Sequence, residues 1–213
     1  MSLPVGDFGE AGPRVAVLMP TYEQASFLPR ALRSLFDQTV TDWELALVDD
    51  GSHDGTAMAA APFLADPRVR HARFSENRGL GAALNTGLAM TRAPVVAYLP
   101  SDDLWAPDHL AHVLAAFADP EVALVHSAVH HHERYRTDGA PDGHPLQLVQ
   151  VAHRRIAEPW PERAELESDD PERLYWRRYA STAESAPPEG PPARGPIIPA
   201  NGTRRSGRAS TGG

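Results

Sequence analysis

The 213-residue chain contains no cysteine, so disulfides and thiolate metal sites are excluded. It also contains no lysine, since all 20 basic residues are arginine. That removes Schiff-base lysine chemistry and the phosphate-binding lysine of a P-loop. No apolar run approaches the ~20 residues that cross a bilayer. Residues 1–13 lack the basic start and apolar core of a secretory signal and read as a flexible leader. The formal charge of -8, with no basic stripe in the first 180 residues, argues against a nucleic-acid partner. These absences lead us to expect a soluble cytoplasmic protein, with peripheral contact at a membrane surface left open.

What is present is a hydrophobic fraction of 42%, enough for a real core in one domain. From residue 14 to about 127, short apolar runs alternate with amphipathic stretches. Arg14 to Met19 predicts a buried strand stopped by Pro20. Leu28, Ala31, Leu32, Leu35 and Phe36 fall at helical spacing within Ala25 to Gln38. Glu44 to Val48, Val69 to Phe74, Pro94 to Leu99 and Val122 to Val125 predict further strands. Helices are expected from about Asp54 to Leu64, with Asp54 or Ser52 as cap, and over Arg78 to Met90 and Pro107 to Phe117. Continuous apolar strands alternating with helices predict an α/β fold with a mostly parallel sheet covered on both faces. From 128 to 179 the pattern loosens, with an antiparallel strand expected over Val129 to Arg136 and a helix over Asp170 to Arg178. Residues 180–213, rich in Pro, Gly, Ser, Thr and Arg, predict a disordered tail.

In parallel sheets ligands gather beyond the carboxyl ends of the strands. The polar clusters fall there: Thr21-Tyr22, Asp49-Asp50 and Asp102-Asp103. Adjacent carboxylates after a buried strand are costly unless they cap, pair or bind a cation. Mg²⁺ or Mn²⁺ suits such hard oxygen donors, and capping of the next helix is the plainer alternative. Asp49 or Asp50 at a strand end can accept from the N–H of a pyrimidine base edge, and Arg78 can meet a phosphate or sugar. Glycines in Asn77-x-Gly79-x-Gly81 permit close approach of an anion or, equally, close helix packing.

Five pieces occur in order: Pro20-Thr21-Tyr22; Ser34-Leu35-Phe36-Asp37-Gln38-Thr39; Asp42-Trp43-Glu44-Leu45 running into Val48-Asp49-Asp50-Gly51-Ser52-His53-Asp54-Gly55-Thr56; Asn77-x-Gly79-x-x-x-Ala83-x-Asn85-x-Gly87; and Ala97-Tyr98-Leu99-Pro100-Ser101-Asp102-Asp103. In this order the sequence resembles the family 2 glycosyltransferases, firmly over 14–127 and more weakly to about 179. The resemblance implies a GT-A-type, Rossmann-like fold, with 14–127 as the nucleotide-sugar-binding half and 128–179 as an acceptor-side half. It implies a nucleotide-sugar donor, usually UDP-linked, Mg²⁺ or Mn²⁺, and transfer with inversion to an acceptor hydroxyl of unknown kind. Pro20, Thr21 and Tyr22 would line the nucleotide, and Asp50 would accept from the base. Asp102 would lie near ribose and metal, and Asp103 would be the main metal ligand. The base would be Asp170 or Asp169, which precede the last predicted helix and serve equally well as its caps. His153 matches a region facing the donor and could touch metal or diphosphate, although a structural role suits it better. Two positions depart from the family pattern: Glu23, where Asn is frequent, and Pro100, where many members have Asp. The Gln-x-x-Arg-Trp motif of processive synthases is absent, which points to transfer of single sugars. An inactive nucleotide-sugar-binding module is the alternative reading.

Overall fold

The computed structural model describes residues 12–131, 135–137, 147–166, 172, 174–176 and 197–198. Its elements are β1 (Val15–Thr21), α1 (Leu28–Phe36), β2 (Trp43–Asp49), α2 (Thr56–Ala60), β3 (Val69–Arg73), α3 (Leu80–Met90), β4 (Val95–Tyr98), α4 (His109–Ala116) and β5 (Leu124–Ser127). The short hairpin β6 (Val129–His131) and β7 (Tyr135–Thr137), then β8 (Val151–Arg154) and β9 (Ile197–Ile198), complete them. Single 3-10 turns occur at Ala61–Phe63, Leu148–Gln150 and Arg163–Glu165.

The main sheet has the order β3-β2-β1-β4-β8-β5-β9. Strands β1 to β4 are mutually parallel, and β8 runs antiparallel to both β4 and β5. This is the α/β, GT-A-type architecture read from the sequence. Of the expected disordered tail only Ile197–Ile198 are described, paired with β5; the rest of that expectation lies outside the described residues.

Strand alternation divides the core. Val15, Val17 and Met19 of β1, with Leu45 and Leu47 of β2, face α1 and α4. Leu18, Ala46, Val96 and Tyr98 face α3 and the aromatic residues Trp160 and Tyr175. α1 buries the stripe Leu28, Ala31, Leu32 and Leu35 that its spacing predicted. α3 instead approaches the sheet through small residues; a Cβ on Gly87 would sit 3.2 Å from Leu18 Cδ2.

Pro20 does not stop β1, as the sequence had suggested. The strand continues to Thr21, with Pro20 opposite Val48 and Thr21 opposite Asp49. In a parallel strand successive residues present their backbone groups to alternate neighbours. Leu18 O accepts from Leu99 N on the β4 side, whereas Thr21 O accepts from Asp50 N on the β2 side. The missing N–H of Pro20 therefore faces β4, where the ladder ends at Leu18 opposite Tyr98. The expected strand over Val129 to Arg136 is a hairpin of two strands. Among the described residues, no helix is long and apolar enough to cross a membrane.

Candidate active site

The sheet reverses its order between β1 and β4, because β1 leads outward through β2 to β3 and the chain then returns to the other side of β1. Loops leaving the carboxyl ends of β1 and β4 diverge there and open a crevice. A cavity of about 440 Å³ occupies that place. Its walls include Pro20, Thr21 and Tyr22 after β1, Asp50 after β2, and Pro100, Ser101 and Asp102 after β4. The acidic loops identified from the sequence do converge.

Each wall is held by identifiable contacts. Asp50 is 5% exposed, and its two carboxylate oxygens accept the backbone N–H groups of Arg78 (2.7 Å) and Gly79 (2.9 Å). It thus fastens the loop before α3 to the end of β2 and still faces the cavity. Asp49, its neighbour, points elsewhere, accepting from Ser52 N (2.8 Å) and pairing with Arg73 (3.3 Å). Gly51 between these loops has φ +82°, and a Cβ there would lie 2.5 Å from the Glu76 carbonyl carbon, so only glycine fits. Thr21 Oγ1 is buried and has no hydrogen-bond partner among the described residues. A buried orphan hydroxyl beside a cavity is costly unless a ligand satisfies it.

The β1 loop carries Glu23 at φ +55°, a left-handed conformation that Asn adopts more readily than Glu. Reciprocal bonds hold it there: Glu23 N donates to Ser52 Oγ (2.9 Å), and His53 N donates to Glu23 Oε1 (2.7 Å). Asp54 stitches the same loops by accepting from Ala25 N and Thr56 N. Gln38 performs the corresponding task below Asp102 and Asp103. Buried after α1, it donates to Ala106 O (2.6 Å) and accepts from Leu110 N (2.9 Å). The second sequence piece is therefore a clamp on the loop that follows β4.

Asp102 is exposed and lines the cavity; Asp103 is half-buried beside it. Burial, and then the charge of Asp102, push the Asp103 carboxyl up to about 6. Neighbouring carboxylates that resist ionisation are relieved by a divalent cation, and Mg²⁺ or Mn²⁺ commonly takes one or two carboxylates plus phosphate oxygens. The donor set fits such an ion. No group of three or more His, Asp or Glu able to hold a metal gathers among the described residues, so phosphate and water would supply the other ligands.

His153 is buried and does not line the cavity. Its Nε2 meets the Tyr98 hydroxyl at 2.6 Å and its Nδ1 meets Arg154 O at 2.7 Å. Both nitrogens are engaged, which corrects the idea of a metal ligand, and burial lowers its pKa to about 4. Nor is Arg78 among the lining residues. Its guanidinium stacks 4.7 Å from the Phe74 ring centroid and lies 4.0 Å from Glu162, while its backbone N–H serves Asp50. Asp169 and Asp170 lie outside the described residues. Two charged cavity residues were missed by the sequence reading: Glu172, in the last helical segment, and Arg163. Both come from the weakly patterned half, and only their proximity to Pro-rich turns and a helix start could have singled them out.

The family model for glycosyl transferase family 2 matches residues 16–174. WfgD of Escherichia coli, a UDP-Glc:alpha-D-GlcNAc-diphosphoundecaprenol beta-1,3-glucosyltransferase, is 31% identical over 96 residues, covering 45% of this chain and 38% of its own. The mannosyltransferase PcManGT from Pyrobaculum calidifontis, solved with GDP-Man and Mn²⁺, superposes with TM-score 0.58 at 30% identity, covering 68% of this chain and 45% of that one. TarS residues 1–349 from S. aureus, solved with UDP-GlcNAc, superposes with TM-score 0.63 at 20% identity over 75% and 51%, a likeness of fold. The chain spans between 17% and 39% of the length of the curated relatives it matches. With the family match running from β1 to the last helical segment, and with the switch-point cavity where such folds bind ligand, the chain belongs to glycosyl transferase family 2.

Proposed function

We propose that the protein transfers a sugar from a nucleotide-sugar donor to an acceptor hydroxyl, with inversion at the anomeric carbon. The observation that carries this reading is the cavity at the β1/β4 reversal, which joins a buried orphan hydroxyl, Thr21 Oγ1, to the carboxylates Asp50 and Asp102. Pro20, Thr21 and Tyr22 form the wall for the nucleoside. Asp50 keeps lone pairs beyond the two N–H groups it accepts and receives a base N–H. UDP and GDP donors are both candidates, because WfgD is named for UDP-Glc and PcManGT was solved with GDP-Man.

Asp102 and Asp103 would hold Mg²⁺ or Mn²⁺ against the diphosphate. When bound, the ion draws charge from the departing nucleoside diphosphate. The acceptor oxygen attacks the anomeric carbon opposite that leaving group and forms the new C–O bond as the bond to diphosphate breaks. Its proton passes to a carboxylate, for which Asp170 or Asp169 is the candidate; Glu172, close by in sequence, lines the cavity. Transfer of single sugars is the form proposed, with the acceptor's class open.

Titration calorimetry with UDP and GDP in Mn²⁺ tests donor binding. Heat of binding should be lost in Asp103→Ala, and equal binding by wild type and Asp103→Ala defeats the metal assignment. Donor turnover across a panel of acceptors tests catalysis. Binding without hydrolysis or transfer in every case would leave a binding module in place of an enzyme.

A further inference from the structure

The donor reading leaves one electrostatic problem. The carboxylates lining the cavity are Asp50, Asp102 and Glu172, and a diphosphate adds more negative charge to the same space. Arg163 is the one cationic side chain among the described residues that line it. Resting on the donor reading, we propose that Arg163 is a further donor-binding residue that contacts the donor's diphosphate, a role the sequence had offered to Arg78.

The argument begins with how Arg163 reaches the cavity. The residues from Trp160 to Glu165 cross the face of α3. Asn85 grips them at both backbone groups of Trp160, donating to its carbonyl (3.0 Å) and accepting its N–H (2.8 Å), and also donates to Glu162 Oε1 (3.1 Å). Gly81 lets the Pro161 carbonyl lie flat on the helix, since a Cβ there would stand 2.0 Å from that oxygen. Trp160 is wholly buried and stacks on Tyr175 at 3.8 Å. The 3-10 turn that follows closes through a bond from Glu162 N to Glu165 Oε1 (3.1 Å).

So anchored, the segment lays the Arg163 guanidinium along Gly79. Its Nη2 donates to Asn77 Oδ1 at 2.6 Å and its Nη1 to Asn77 O at 3.4 Å. A Cβ on Gly79 would be 3.5 Å from Nε. The same Gly79 N–H is held by Asp50. A guanidinium carries five N–H donors in a planar fork, and Asn77 takes two, leaving three for a phosphate oxygen pair. Arg78 is drawn away to Phe74 and Glu162. Asn77 and Gly79 before α3, with Gly81 and Asn85 on it, thus dock the second half of the domain and deliver a cation from it to a cavity built by the first half.

Calorimetry at fixed Mn²⁺, with UDP, GDP, uridine and guanosine as titrants, tests this. Arg163→Ala should weaken the nucleoside diphosphate that binds wild type by at least about tenfold and leave the matching nucleoside within about twofold. Arg163→Lys should recover only part of the loss, because an ammonium cannot offer the fork. Arg78→Ala should change neither by more than about twofold. Equal weakening of diphosphate and nucleoside would overturn the proposal in favour of a purely structural dock. So would an unchanged diphosphate affinity in Arg163→Ala, or a larger loss in Arg78→Ala. If wild type binds neither UDP nor GDP, the donor reading itself falls and takes this assignment with it.

Discussion

Between residues 15 and 127 the chain buries aliphatic side chains on both faces of parallel strands; between 147 and 176 it buries rings that carry polar atoms. In the first region Val15, Val17, Leu32, Leu35 and Leu45 need only to leave water. In the second, Tyr98 from β4 receives Trp160 Nε1 at 3.3 Å and meets His153 at 2.6 Å, and Trp160 stacks on Tyr175. An apolar core tolerates changes of shape, whereas a buried polar network is costly when any member goes unsatisfied. The difference teaches that the sheet beneath the cavity is held by apolar packing, while the half that brings Arg163 and Glu172 relies on a buried polar network as well.

The sharpest way to break this comparison is Trp160→Ala. Removing that buried ring should cost about 3–5 kcal/mol in urea unfolding. Hydrogen exchange should rise first in 147–176, and equal loss of protection in β1 and β2 would show that the two regions are one cooperative unit. Acidification comes next. Burial holds His153 and His109 at about 4, below the 6.5 of an unfolded histidine. Between those values the unfolded chain binds more protons, so each contributes stability above pH 6.5 that is lost as pH falls towards 4. The loss is at most about 3 kcal/mol per histidine. Melting of wild type and His153→Gln across that window should give a flatter pH profile for the variant, and identical slopes would deny His153 its part.

Gly81→Ala tests the contact between the regions. Its Cβ would meet the Pro161 carbonyl and should cost about 1–3 kcal/mol by overpacking, with the melting temperature as readout. A neutral result would mean that the 160–165 segment can lift without penalty. Tyr98→Phe keeps the ring but deprives His153 and Trp160 of a hydroxyl, at a cost of about 1–2 kcal/mol. Smallest of all, Glu23→Asn should raise stability by up to about 1 kcal/mol through relief of a left-handed backbone, provided that the Ser52 bond to its N–H survives. A fall in melting temperature would show that the Glu23 carboxylate bond to His53 N outweighs the strain.

Much of the first region was legible because its information is local. Apolar runs gave β1, β2 and β4, helical spacing gave the buried stripe of α1, and the polar ends of the strands marked the cavity. Pro20 misled because whether a proline ends a strand depends on which neighbour its missing N–H would have met. Arg78 misled because its backbone, not its guanidinium, serves the site. His153 could be read either as ligand or as core until the Tyr98 hydroxyl was seen against it.

The sequence by itself determined the strand and helix periodicities, the acidic turns and the absence of thiol and lysine chemistry. These follow from residue type and spacing along the chain, which side-chain sterics and solvation translate directly into local structure. Only the tertiary structure decided which carboxylates face one cavity, which histidine is spent on internal bonds, and which arginine arrives beside Gly79. Those outcomes depend on contacts between residues as far apart as Asn77 and Arg163, and no local pattern encodes a distance of that kind.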